Sequence, residues 1–205
     1  MTTQLWLVRH GETDWNAQGR VQGHSDVPLN AVGRLQAERL AARLVGQHFD
    51  AVVSSDLSRA LETAQIVAAQ LLGAPSARVD PRWREQHLGA IQGLTHDQIV
   101  TSGLPRPTTP LEAWPGAESR AQLLERVRAP LGEMHAAFQG KRVLVVSHGG
   151  TLRAAVMLLL GDLEQRLALY GHDNTVVSRV HLTGPSGGIL VTLNDSAHLE
   201  PAPKN

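Results

Sequence analysis

The amino-acid sequence predicts a single α/β domain, a three-layer sandwich whose mostly parallel sheet is covered by helices on both faces. Short apolar runs alternate with longer segments of helical period, the pattern of strand–helix–strand crossovers. Two histidine–glycine pairs, His10-Gly11 and His148-Gly149, fall at the ends of apolar strands, and ligands in such sheets sit beyond the carboxyl ends of the strands. A length of 205 residues suits one domain, taken here as residues 1–205 with a small cap at about 94–118.

Leu5-Trp6-Leu7-Val8 reads as the first buried strand. Asn30 is placed to cap a helix reaching about Val45, with Leu35, Leu40 and Leu44 expected on one face. Ala51-Val52-Val53 is a second strand. Ser54-Ser55-Asp56 offers caps for a helix over residues 57–72, with Leu57, Leu61, Ala64, Val67 and Leu71 inward. Five of the eleven prolines fall between Pro81 and Pro115, so that stretch is expected to be loop with one short helix near residues 95–100. A helix over residues 118–138 carries Leu124, Val127, Leu131 and Met134 in register and should kink at Pro130. Val143-Leu144-Val145-Val146 is the clearest buried strand, and a helix follows it to Leu160. Residues 175–181 and 189–193, joined by Gly184-Pro185-Ser186-Gly187-Gly188, read as a terminal hairpin, and residues 201–205 as a frayed tail.

Composition narrows the function classes. Hydrophobic residues make up 42% and charged residues 19%, which is globular composition. Nineteen basic residues balance nineteen acidic ones, so nothing points to a nucleic-acid partner. Absence of cysteine removes disulfides, thiolate metal sites and cysteine nucleophiles. The apolar run from Ala154 to Leu160 is too short to cross a bilayer, and no signal-peptide layout opens the chain, so a cytoplasmic location without membrane association is expected. A homodimer is the assembly to test for, since dimers are common among soluble proteins.

Four segments carry chemistry. In Arg9-His10-Gly11-Glu12-Thr13-Asp14-Trp15-Asn16, an imidazole at a strand end stands beside a guanidinium. Neutral imidazole is a competent nucleophile near pH 7, and a guanidinium fork suits phosphate oxygens. Gly11 permits close approach of the backbone. Arg59, in the first turn of a helix, lies where amide donors and the helix dipole favour an anion; a solvated arginine is the alternative. Glu85 sits in a glycine-bearing loop, Arg84-Glu85-Gln86-His87-Leu88-Gly89, and could give a proton to a leaving oxygen when a dianion beside it keeps it protonated; His87 reads as structural. His148 ends the most apolar strand, with the Gly149 amide and Thr151 following at a helix N-terminus. A satisfied core histidine is the competing reading there.

Taken together, these segments resemble the histidine phosphatase superfamily, the phosphoglycerate mutase-like fold, in order from residue 5 to about 153; Leu193-Asn194-Asp195 and His198-Leu199 look similar too. The resemblance implies a phosphate pocket of Arg9, His10, Arg59 and His148, with His10 as nucleophile and Glu85 as proton donor. It further implies that Asn16 and Gln22 touch the phosphoryl group or its surroundings. Two arginines and two histidines would supply the cationic clamp, so neither metal nor cofactor is implied.

The activity this implies is hydrolysis of a small phosphorylated metabolite through a phosphohistidine. Mutases of the family carry a longer, more basic insertion after the glutamate loop. Here the stretch from Gly93 to Glu118 is short and holds one arginine, Arg106, and no lysine, which places the chain on the phosphatase branch. Residues 85–99 are similar to the glucosyl-3-phosphoglycerate phosphatase group, which points to a sugar-phosphoglycerate; broad-activity and ribazole-phosphate phosphatases look similar as well. The alternatives are a cofactor-dependent phosphoglycerate mutase and a catalytically inactive binder of phosphorylated ligands. Trp114, His96, Arg106 and Arg120 are the candidates for leaving-group contacts.

Overall fold

The computed structural model describes residues 2–73, 75–109, 111–161 and 173–200; the expected tail at 201–205 lies outside them. Six strands form one mixed sheet: β1 Thr3–Arg9, β2 Ala51–Ser54, β3 Ala77–Val79, β4 Arg142–Ser147, β5 Val177–Gly184 and β6 Gly187–Asp195. Their order is β3-β2-β4-β1-β5-β6. β1, β2, β3 and β4 run parallel, and the β5–β6 hairpin joins antiparallel along β1.

Alternation along the strands builds the layers. Leu5, Leu7, Val143 and Val145 face one cluster, which α5 (Arg120–Ala137) and α6 (Gly149–Leu160) cover. Trp6, Val8, Leu144 and Val146 face the other, covered by α2 (Ala31–Leu44) and α3 (Ser58–Ala68). The central strands β1 and β4 therefore bury both faces, as their continuous apolar runs require, whereas the edge strands β3 and β6 stay partly exposed. Two short helices, α1 (Asp14–Ala17) and α4 (His96–Thr101), lie outside the layers, and each opens with a capping box, from Thr13 and Thr95.

Several expectations change in detail. Asn30 caps α2 as expected, its side chain accepting from the Gly33 amide at 2.8 Å. Leu35 is exposed, however, because at about 100° per residue it lies half a turn around from Leu44; Gly33, Ala37, Leu40, Ala41 and Leu44 form the buried stripe. α3 ends at Ala68 rather than near residue 72, and Leu61 is only half-buried. Strand β3 escaped the sequence reading because three residues are too few for a pattern. α5 begins with a capping box on Ser119 and continues through Pro130. No described helix is long and apolar enough to cross a membrane.

Gly11 and Gly33 let α2 press against the loop after β1. A Cβ on Gly11 would lie 2.4 Å from the Gly33 carbonyl oxygen, and one on Gly33 would lie 2.1 Å from that of Glu12. The close approach that Gly11 permits is thus to helix α2, while its amide donates to the Thr63 hydroxyl at 3.0 Å. At the far end of the chain, Asp195 makes a two-pronged contact with Arg43 of α2, and His198 lies 3.0 Å from the Thr175 hydroxyl.

Candidate active site

Three parallel strands end side by side and deliver site residues, β1 ending on Arg9 itself. β1 leads into His10, β4 into His148, and β2 into the turn that opens α3 and carries Arg59. Because Arg9 of β1 pairs with Ser147 of β4, the two imidazoles following them become neighbours, with ring centroids 5.0 Å apart. The strand register thus brings together residues 138 positions apart.

His10 is 2% exposed, and its Nδ1 lies 2.7 Å from the Gly11 carbonyl oxygen. A carbonyl only accepts, so Nδ1 carries the proton and Nε2 keeps its lone pair. Burial, then the Arg59 and Arg9 cations, pushes the pKa well below the usual histidine value, which keeps the ring neutral near pH 7. His148 is fully buried and its pKa is lowered too, by burial first and then by Arg59. Its Nε2 lies 2.9 Å from the Ser55 hydroxyl, while Nδ1 has no hydrogen-bond partner among the described residues. It is therefore a half-satisfied core histidine with one ring nitrogen unspent. The positive charge of the free pocket accordingly rests on Arg9 and Arg59, not on the imidazoles.

Arg59 is fully buried rather than solvated. Its Nη1 and Nη2 donate to the carbonyl oxygens of Ser25 and Gly23, each at 2.8 Å. The fork thereby anchors the loop that carries Gln22. Burial lowers the Arg59 pKa to about 10, which leaves it cationic at neutral pH. The helix α3 that holds it is capped from outside: Asp26 accepts from the Ser58 amide at 2.8 Å, and the Ser55 hydroxyl accepts from the Leu57 amide at 3.2 Å.

Glu85 follows a 3-10 turn at Pro81–Trp83 and lays its carboxylate on the N-terminus of α6. The Gly150 amide donates to one oxygen at 3.0 Å, and the amides of Thr151 and Gln86 donate to the other at 3.1 and 2.8 Å. The Thr151 hydroxyl donates to the Arg84 carbonyl at 2.6 Å. Thr151 thus meets Glu85 and its loop, and Gly149 opens the helix beside His148. A cavity of about 220 Å³ is lined by Arg9, His10, Asn16, Gln22, Arg59 and Glu85 among others; His148 lies behind this wall. The Asn16 oxygen accepts from the Thr13 amide at 3.2 Å, and the buried Gln22 Oε1 has no partner among the described residues.

Two contacts escaped the sequence reading. His24 Nε2 donates to the Glu85 carbonyl at 2.8 Å, with its ring edge-on to His87 at 4.8 Å. Arg126 of α5 donates to the same carbonyl at 3.2 Å. Both bind main-chain oxygens, and a main-chain acceptor leaves no residue signature in a sequence.

Gly150 admits the carboxylate, since a Cβ there would stand 2.5 Å from Glu85 Oε1. Gly150→Ala should therefore unseat Glu85 and lower kcat by ~10²-fold while phosphate affinity is retained. Steady-state kinetics and phosphate titration check both halves; unchanged turnover would show that this seat is not needed.

The lowered histidine values also set stability. A histidine held neutral contributes stability above about pH 6.5 that is lost as pH falls toward its folded value, about 4 for His198, whose pKa burial lowers first and Arg43 next. Asp195, held at about 2 foremost by its hydrogen bond to Arg43, loses its contribution only below about pH 4. Urea midpoints should thus fall between pH 7 and 4, driven by His10, His148 and His198, with a further loss below that. A flat profile across pH 7 to 4 would contradict it.

Parallel strand ends that gather two guanidinium groups and one neutral imidazole at a polar cavity, with a carboxyl from a neighbouring loop and a second imidazole behind the wall, define a class of phosphate-handling α/β enzymes. Residues 5–196 match the histidine phosphatase superfamily (branch 1), and the chain belongs to that family. It is 37% identical over 217 residues to the probable phosphoglycerate mutase GpmB of Serratia proteamaculans, covering 96% of this chain and 95% of that one. Among solved structures, mycobacterial hydrolase 1 superposes with a TM-score of 0.86 at 32% identity, covering 95% of this chain and 99% of that one. A mycobacterial glucosyl-3-phosphoglycerate phosphatase superposes with a TM-score of 0.82 at 30% identity, covering 95% and 100%. The fold and the family expected from the sequence are those found.

Proposed function

We propose that the protein hydrolyses a small phosphomonoester through a phosphohistidine at His10. The observation that carries this reading is the neutral His10, whose Nε2 lone pair is free in a pocket charged by Arg9 and Arg59. Nε2 attacks phosphorus, the bond to the leaving oxygen breaks, and Glu85 gives that oxygen its proton. The ring becomes cationic as the P–N bond forms, and the Gly11 carbonyl at Nδ1 stabilises that charge. Glu85, now a carboxylate, takes a proton from water as the water attacks phosphorus and the P–N bond breaks. Arg9, Arg59, Asn16 and Gln22, which line the cavity, hold the phosphoryl oxygens, and Thr151 orients Glu85; His148 and the Gly149 amide, expected to join them, stand behind the cavity wall. No step calls for a metal or cofactor.

The leaving group points from Glu85 along Leu88 and Gln86, where two further cavities open, of about 280 and 180 Å³. Arg120 lines both, and its nearest polar contact among the described residues is Met157 Sδ at 3.4 Å. Trp114 lines the larger one, whereas His96 and Arg106 line neither. A half-buried guanidinium without a described ion pair favours a polar or anionic leaving group, which suits a sugar-phosphoglycerate.

A phosphoglycerate mutase is the second reading, favoured by the name of the Serratia relative. Incubation with p-nitrophenyl phosphate in EDTA separates the readings. Release of phosphate supports the phosphatase. Exchange between phosphoglycerates without release supports the mutase, and tight phosphate binding without turnover supports an inactive binder. Ranking kcat/KM over phosphorylated sugars, glycerates and nucleotides then identifies the substrate class.

A further inference from the structure

We propose that Arg126 is a positioning residue for the proton donor, its guanidinium locking the main chain around Glu85 to the segment that closes the cap. This rests on the reading of Glu85 as proton donor.

A guanidinium has five N–H donors in a rigid fork. Arg126 spends them on five acceptors: Nη1 on the carbonyls of Arg82 and Arg84 at 2.7 and 2.9 Å, Nη2 on that of Glu85 at 3.2 Å, and Nε and Nη2 on the two carboxylate oxygens of Glu118 at 2.8 and 2.7 Å. The carbonyl of Glu85 and two that precede it are thus held by one side chain of helix α5. Glu118 completes the joint on the other side of the loop. Its amide donates to the His87 carbonyl at 2.8 Å, its carbonyl accepts from Gln86 Nε2 at 2.8 Å, and its carboxylate accepts from the His87 amide at 3.3 Å. The main chain from residue 82 to 87 is therefore fixed at both ends by one ion pair.

The joint is too costly to be an incidental ion pair. Arg126 and Glu118 are only 21% and 14% exposed. An ordinary surface pair of this kind stays in water and adds little. Here the guanidinium is aimed at main-chain oxygens, so its removal takes the described donor from the Arg82 carbonyl and leaves those of Arg84 and Glu85 to Thr151 and His24 alone. Lysine, a point charge with three donors, cannot reproduce five directed bonds.

Leaving-group chemistry tests this, because a proton donor matters for an alkoxide and hardly for dinitrophenolate. First-turnover rate constants, with enzyme in excess, are compared for 2,4-dinitrophenyl phosphate and for the best alkyl phosphate of the substrate panel. Arg126→Lys should slow the alkyl ester ~10²-fold and the dinitrophenyl ester by no more than roughly threefold. Both esters are read on the same sample, so a loss of folded enzyme slows them alike and leaves the ratio of their rate constants unchanged. Glu118→Gln, which keeps all three carbonyl contacts, should show the same selectivity at about a tenth of the size, and it stands in should Arg126→Lys not fold. Equal slowing of both esters, or of neither, overturns the assignment. Glu85→Gln is the control: if it too slows both equally, the proton-donor reading itself fails, whereas selectivity in Glu85→Gln alone sinks only the role of Arg126.

Discussion

His10→Ala should lower kcat by ~10³-fold or more, because a covalent step through one nitrogen has no substitute in the pocket. Inorganic phosphate should still bind within about tenfold of the wild-type affinity, since the arginine forks that meet its oxygens remain. The substitution removes a buried ring with one hydrogen bond of its own, to the adjacent Gly11 carbonyl, so the β1–β4 pairing beneath it should hold. Turnover measured with phosphate release, beside phosphate titration of the same sample, separates lost chemistry from lost binding. Near-normal turnover would mean that another group attacks.

Arg59→Met should lower kcat/KM by ~10²- to 10³-fold and also destabilise the fold. Two causes add. The phosphoryl group loses a guanidinium, and the Ser25 and Gly23 carbonyls lose their donors, so the loop bearing Gln22 slackens. Burial is the main reason that His10 is held neutral, and the Arg59 cation is the next. Removing that cation should raise the His10 pKa, so more of the nucleophile is protonated at a given acidic pH and the acid limb of kcat/KM moves to higher pH. Arg59→Lys keeps the charge and should leave that limb nearly in place, yet it cannot hold both carbonyls as the fork does. A shift of the limb in Arg59→Lys as large as in Arg59→Met would contradict the electrostatic part.

The layered sheet was legible because strands buried on both faces leave continuous apolar runs between helical segments. Leu5 and Leu7 face one core while Trp6 and Val8 face the other, and Val143 to Val146 repeat the pattern. Leu35 departs from the expected face because it lies half a turn around the helix from Leu44, and identity as leucine does not carry that angle. His10, Glu85 and His148 were legible as residue types at strand ends and in a loop. The burial of Arg59 was not, because its structural partners are the carbonyls of Gly23 and Ser25, which any residue supplies. Ser55 was read as a helix cap and also meets His148, two uses that one residue letter does not distinguish. The seat of Glu85 on Gly150 and Thr151 was hidden likewise: the sequence showed an anion site at the start of α6, and the protein's own carboxylate fills part of it.

The most direct test is to map the phosphoryl group in an enzyme quenched during turnover at alkaline pH, where phosphohistidine survives. Mass spectrometry should locate it on His10, and phosphorus NMR should assign it to Nε2, because Nδ1 is committed to the Gly11 carbonyl. An adduct on Nδ1, on another residue, or none at all under single-turnover conditions would contradict the account.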